Sequence, residues 1–239
     1  MYIIQPNKNN LILIFFLFFC TFICSLGCTQ KDISSSPTTT ISQQNDSIVT
    51  CLEKQYQYAR SLRVSQTYTE SIEAYKACLR FDSDKEAVQL ALEPIVIDAM
   101  TELLKSYQSE GNPDACIEYF DSLTKAPPPL IQKYCMRDVY SFLGYALSRA
   151  DRINEAERMT LKALDMPQLN ATPQRLFLQY TYAAAVFYSN LDMQDEVINW
   201  CHIAIEQANL SKTPTNIQWL TTLLGSLYKR TGKINEAID

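Results

Sequence analysis

Apolar and polar residues divide this chain into four stretches. Residues 1–10 turn polar from Gln5 onward and carry one cation, Lys8. Leu11 to Leu26 then form a largely apolar run of 16 residues with no charge. From Thr29 to Ile48 the chain is rich in Ser, Thr, Gln and Asn and has little to bury, which predicts a flexible tether. Beyond it, apolar and small residues return in a recurring order, the mark of a stack of similar units.

The clearest recurrence is anchored on glycine and alanine. Ser141-Phe142-Leu143-Gly144-Tyr145-Ala146-Leu147, then Asp151-Arg152-Ile153-Asn154-Glu155-Ala156, is answered by Thr222-Leu223-Leu224-Gly225-Ser226-Leu227-Tyr228, then Gly232-Lys233-Ile234-Asn235-Glu236-Ala237. Weaker copies lie at Tyr182–Tyr188, at Leu103–Tyr107 and at Tyr68–Leu79. In this register units begin at Leu52, Ile97, Arg137, Leu178 and Gln218, in steps of 45, 40, 41 and 40 residues.

Each unit predicts a helical hairpin. Its first helix has a small residue where the second crosses closely: Ala59, Gly144, Ala185 and Gly225, with Leu104 as the misfit. A bulky residue three places on plugs the hairpin: Leu62, Tyr107, Leu147, Tyr188 and Tyr228. Turn formers follow at Gly111, Asp151, Asp192 and Gly232, with Gln66 as the misfit. The second helix opens on Ser71, Cys116, Ala156, Val197 or Ala237 and has a later small residue at Cys78, Ala163 and Ala204. Pro94, Pro113, Pro127 to Pro129, Pro167, Pro173 and Pro214 are expected in turns or near helix ends, where a missing N–H costs least.

These units resemble the tetratricopeptide repeat. The resemblance implies an all-α solenoid of antiparallel hairpins with a right-handed superhelical course, over residues 49–239. That family's usual period is about 34 residues. Steps near 40 predict longer helices or longer connections, for example at Leu169–Pro173 and Ser211–Pro214. The fifth unit reaches only Asp239, so its second helix is incomplete and the natural chain is expected to continue.

The apolar run suits a signal-peptide core and is short for a membrane-crossing helix, which takes about 20 residues. It closes on Ser25-Leu26-Gly27-Cys28, which resembles a bacterial lipoprotein junction, although Ser25 stands where leucine is usual. The resemblance implies a signal peptide over 1–27, cleavage between Gly27 and Cys28, and a lipid on the Cys28 thiol. An uncleaved signal anchor, or ordinary cleavage near Ser25, remains open. On the lipoprotein reading, 28–48 is the tether and the protein sits at the periplasmic or outer surface of a bacterial envelope.

Charge and chemistry narrow the function. Twenty-one basic residues face 26 acidic ones, without a basic stripe, which argues against nucleic acid. His202 is the only histidine, no Cys-x-x-Cys occurs, and no metal or cofactor is expected. Nucleophile–base and phosphate motifs are absent, so an enzyme is disfavoured. The resemblance places ligands along the concave face of the first helices. By offset, the candidates are Tyr56, Arg60, Arg63, Lys105, Tyr145, Tyr182 and Trp219, in a strip whose aromatics suit peptide contact. Two functions follow: a lipid-anchored envelope protein that binds protein or peptide, or the sensory part of a longer signalling or transcription-regulating chain.

Overall fold

The computed structural model describes residues 37–211 and 217–233, and side chains from Ser47 onward. Among these residues all regular structure is helical. Helix α1 spans Pro37–Val64, α2 Tyr68–Cys78, α3 Glu86–Glu110 and α4 Pro113–Lys125. A short π-helical stretch, Ile131–Cys135, leads into α5, Met136–Arg149. Helices α6 (Ile153–Asp165), α7 (Pro173–Phe187), α8 (Gln194–Leu210) and α9 (Gln218–Arg230) complete the array.

The odd-numbered helices are the first arms of the hairpins and the even-numbered ones the second arms. Helix α5 packs on α6, and α7 on α8, as hairpins. Each second arm also packs on the next first arm: α2 on α3, α4 on α5, α6 on α7 and α8 on α9. First arms touch in turn, α3 on α5 and α5 on α7. This repeated pairing makes the described chain an α-solenoid, with one continuous apolar core running from Leu52 to Leu227.

Several of the small residues sit where close crossing demands them, whereas Ala185 is half-buried and lines a surface cavity. Ala59 is fully buried, and its carbonyl accepts a hydrogen bond from Ser71 Oγ at 3.2 Å. A Cβ added to Gly144 would overlap Thr160 Oγ1 and stand 3.1 Å from the Ala156 carbonyl oxygen. Cys78, Cys116, Ala156, Ala163, Val197 and Ala204 are likewise buried. Gly225 has no described heavy atom within 4 Å of such a Cβ. The helix expected to cross it falls among residues outside the described ones.

Four hairpin turns close in one way. Gln66, Gly111, Asp151 and Gly232 all take left-handed backbone, with φ of 61°, 75°, 61° and 75°. In each case the following N–H bonds back to the carbonyl of the plug residue: Thr67 to Leu62, Asn112 to Tyr107, Arg152 to Leu147 and Lys233 to Tyr228, at 2.8 to 3.2 Å. This double closure is the Schellman pattern that satisfies the last helical carbonyls. Gln66 therefore fits its turn in geometry, although not in residue type. Glycine at this position removes a Cβ clash of about 1 kcal/mol. We expect Gln66→Gly to raise the melting temperature by roughly 2–4 °C, and a lower melting point would contradict the strain. The turn of the fourth hairpin is the exception: Asp192 lies in a 3₁₀ turn, Leu191–Met193, whose start is capped by the Asn190 side chain.

Two expectations need correction or extension. Pro94 lies inside α3, not at a turn or helix end. Leu92, Val96 and Ile97 are buried on either side of it, so packing holds the helix through the missing N–H. Leu90, whose carbonyl loses its usual donor, is exposed. Helix α1 starts at Pro37, within the segment expected to be a tether. The 25-residue α3, which starts at Glu86, lengthens the step between the first two units. The expectations for residues 1–27 and for Cys28 lie outside the described residues.

Candidate functional site

The strip on the first arms falls into separate parts. On α1 and α3, Glu102 is the hub. Arg63 Nε lies 2.6 Å from Glu102 Oε2, and Lys105 Nζ lies 2.7 Å from Oε1. The Arg63 contact is an ion pair without a well-aligned hydrogen bond. Arg60 is exposed beside it. Tyr56 is half-buried, its ring 6.0 Å from that of Tyr75. Burial, helped by Asp98 and Glu102, pushes the Tyr56 phenol up to about 12, so it stays a neutral donor. Tyr56, Arg63 and Lys105 are therefore gathered around one carboxylate.

The second part is aromatic. Tyr145 of α5 and Tyr182 of α7 are half-buried with ring centroids 4.6 Å apart. Phe142 meets Tyr182 at 5.7 Å in an edge-on arrangement, and Phe120 of α4 meets Phe142 at 5.6 Å. Burial first, then Tyr145 and Glu102, raises the Tyr182 phenol well above its ordinary value. Tyr182 thus keeps a neutral hydroxyl, and the two stacked rings form an aromatic step. Trp219 is not brought to either group. It is 46% exposed on α9, beside a cavity of about 280 Å³ shared with Ala185, Tyr188 and Leu223.

A buried polar network behind this face was not anticipated. Arg175, in the first turn of α7, uses every guanidinium nitrogen. Its Nε donates to both Asp138 oxygens at 3.0 and 3.1 Å, and Nη2 donates to Asp138 Oδ2 and the Tyr134 carbonyl. Nη1 donates to Glu93 Oε1 at 2.6 Å and to the Leu169 carbonyl at 2.8 Å. Gln179 donates to Asp138 Oδ1 and accepts from Arg137 Nε, while Arg137 Nη1 donates to the Met166 carbonyl at 2.7 Å. All five of these side chains are less than a tenth exposed. The sequence carried a faint signal. Arg137 and Asp138 interrupt an apolar run, and Arg175 and Gln179 stand one helical turn apart.

In front of the network, α3 and α7 stand either side of a cavity of about 540 Å³. Glu93, Asp98 and Arg175 supply its charges, and Leu90, Pro94, Ile97 and Leu178 its apolar walls. Catalytic chemistry finds little here. Desolvation pushes the Cys78, Cys116 and Cys201 thiols up to about 12 and Cys135 well above the ordinary thiol range, the reverse of an activated nucleophile. His202 Nε2 lies 2.5 Å from the Tyr228 hydroxyl across α8 and α9, which gives it a structural partner. Among the described residues no group of three or more His, Cys, Asp or Glu is placed to hold a metal ion. No described helix is long and apolar enough to cross a membrane.

No family model and no curated protein matches the chain. Among solved structures, it is similar to the nearly identical TPR-like repeats of a Podosopora anserina kinesin light chain. The identity is 16%, over 79% of this chain and 90% of that one, with a TM-score of 0.47. A single-substitution variant of those repeats gives 14% identity, the same coverage and a TM-score of 0.48. At such scores the fold assignment rests on this chain's own helix pairing.

Proposed function

We propose that this protein is a non-enzymatic binding scaffold, exported and lipid-anchored in a bacterial cell envelope, which holds a protein or peptide along its first-arm face. The observation that carries the binding reading is the surface made by α1, α3, α5 and α7. It offers half-buried Tyr56, Tyr145 and Tyr182 beside accessible Arg60 and Lys105, next to an open cavity. Rigid aromatics give contact area at small ordering cost, and the nearby charges set orientation. The membrane reading comes from the sequence alone: the apolar run to Leu26 and the Gly27-Cys28 junction. Several acyl chains, at about 0.8 kcal/mol per buried CH₂, would hold the protein stably on a bilayer.

Site-specific cross-linking in cells tests the binding face. Photo-reactive residues at Arg60 and Lys105 are expected to capture the same discrete partner, and one at Glu118 on the exposed side of α4 is not. Identical capture at all three positions, or none at the first two, would sink the reading. The anchor is tested by Cys28→Ser and cell fractionation. The variant is expected to lose lipid labelling and leave the membrane fraction. Processing and retention identical to the parent would overturn lipidation at Cys28.

A further inference from the structure

The cavity between α3 and α7 is built differently from the aromatic strip beside it. We propose that it receives a basic side chain, arginine or lysine, from a bound peptide, with Asp98 as the counter-ion. This deepens the binding reading above and rests on it. The lining has two carboxylates, Glu93 and Asp98, against one guanidinium, Arg175, so one negative charge is in excess.

The three groups are not equally available. Glu93 is satisfied: Oε1 accepts from Arg175 at 2.6 Å and Oε2 from Asn170 at 2.7 Å. Arg175 is fully used by carboxylates and carbonyls. Asp98 is solvent-accessible, yet makes no hydrogen bond or ion pair among the described residues. Of the two cations that act on it, Lys105 is engaged by Glu102 and Arg60 is exposed to solvent. Surrounding protein and Glu102 oppose the charge on Asp98 more than Arg60 and Lys105 support it, and its carboxyl is raised as a result. An incoming cation relieves that cost. The walls suit the rest of the side chain. Leu90, Pro94, Ile97 and Leu178 are apolar, and Leu90 is 43% exposed without a ligand. An aliphatic stem covers them while its head reaches the carboxylate, as long cationic side chains do elsewhere.

The test uses the full chain and two probes of nearly equal shape, Nα-acetyl-arginine amide and its neutral analogue Nα-acetyl-citrulline amide, titrated by saturation-transfer NMR. The arginine probe is expected to bind with a Kd of about 1 mM, and the citrulline probe at least roughly tenfold more weakly. Asp98→Asn should erase that preference, whereas Glu118→Gln should leave it intact. Both carboxylates are exposed, so both variants are expected to melt with the parent. Equal binding of the probes, no binding of the arginine probe at about 10 mM, or a preference that survives in Asp98→Asn would overturn the proposal. The probes report on this pocket alone, and cross-linking at Arg60 and Lys105 reports on whether the face meets any partner. Failure of one is therefore distinguishable from failure of the other.

Discussion

Replacing Arg175 by methionine is expected to destabilise the protein by about 3–5 kcal/mol, because it leaves two buried carboxylates without their cation. Asp138 and Glu93 are both less than a twentieth exposed and come from different hairpins, so neither can turn to water without opening the stack. Domains of this size lie only about 5–15 kcal/mol above the unfolded state, so the loss is a large part of the total. A fall in melting temperature of roughly 6–15 °C should follow. Lysine at the same position should restore little: a single ammonium cannot serve Asp138, Glu93 and the Tyr134 and Leu169 carbonyls together. Adding Glu93→Gln and Asp138→Asn to Arg175→Met should recover part of the loss, since the stranded charges are gone. Circular dichroism melts of the four proteins check this. A penalty under about 1 kcal/mol for Arg175→Met would mean that the network is solvated, with a weight nearer that of a surface pair.

The second large effect is expected at Gly144. In an open helix, alanine is better than glycine by roughly 0.5–1 kcal/mol. Here the sign reverses. The new Cβ meets Thr160 Oγ1 and stands 3.1 and 3.2 Å from the Ala156 carbonyl oxygen and the Thr160 nitrogen. Two of these three atoms are backbone, and threonine is stiff about χ1, so α5 and α6 must move apart. Overpacking of this kind costs about 1–3 kcal/mol. Combining Gly144→Ala with Thr160→Ala should recover part of the cost, because the overlapping hydroxyl is removed and has no hydrogen-bond partner to lose among the described residues. Urea denaturation of the single and double variants measures the difference. Should Gly144→Ala match or exceed the parent, the close crossing of α5 and α6 is wrong.

How far the sequence revealed this structure depended on whether a property was local. Gly144, Ala59 and the plug residues are readable because a hairpin crossing imposes a similar demand at the same offset from unit to unit. Gln66 looked like a misfit for the same reason: residue type was the only clue, and the left-handed turn formed without glycine. The start of α3 at Glu86 was hidden by Pro94, whose cost is outweighed by burial of Leu92, Val96 and Ile97. Offset within the repeat places Tyr145, Tyr182, Arg63 and Lys105 on first arms, whereas their pairing and the separation of Trp219 depend on how the arms stack. The Arg175 network depends on partners 37 and 82 residues away, and no local pattern announces such pairing.

One guanidinium fastens α7 to α3 and α5, and also holds the connectors before α5 and α7 through the Tyr134 and Leu169 carbonyls. Repeat arrays commonly behave like springs, since each unit touches only its neighbours and small rotations add up. Here a bond skips one hairpin and spans three. Bending at either junction alone stretches it, so the second to fourth hairpins share any load as a rod. The distance between the cavity wall on α3 and the wall on α7 is then set by a rivet.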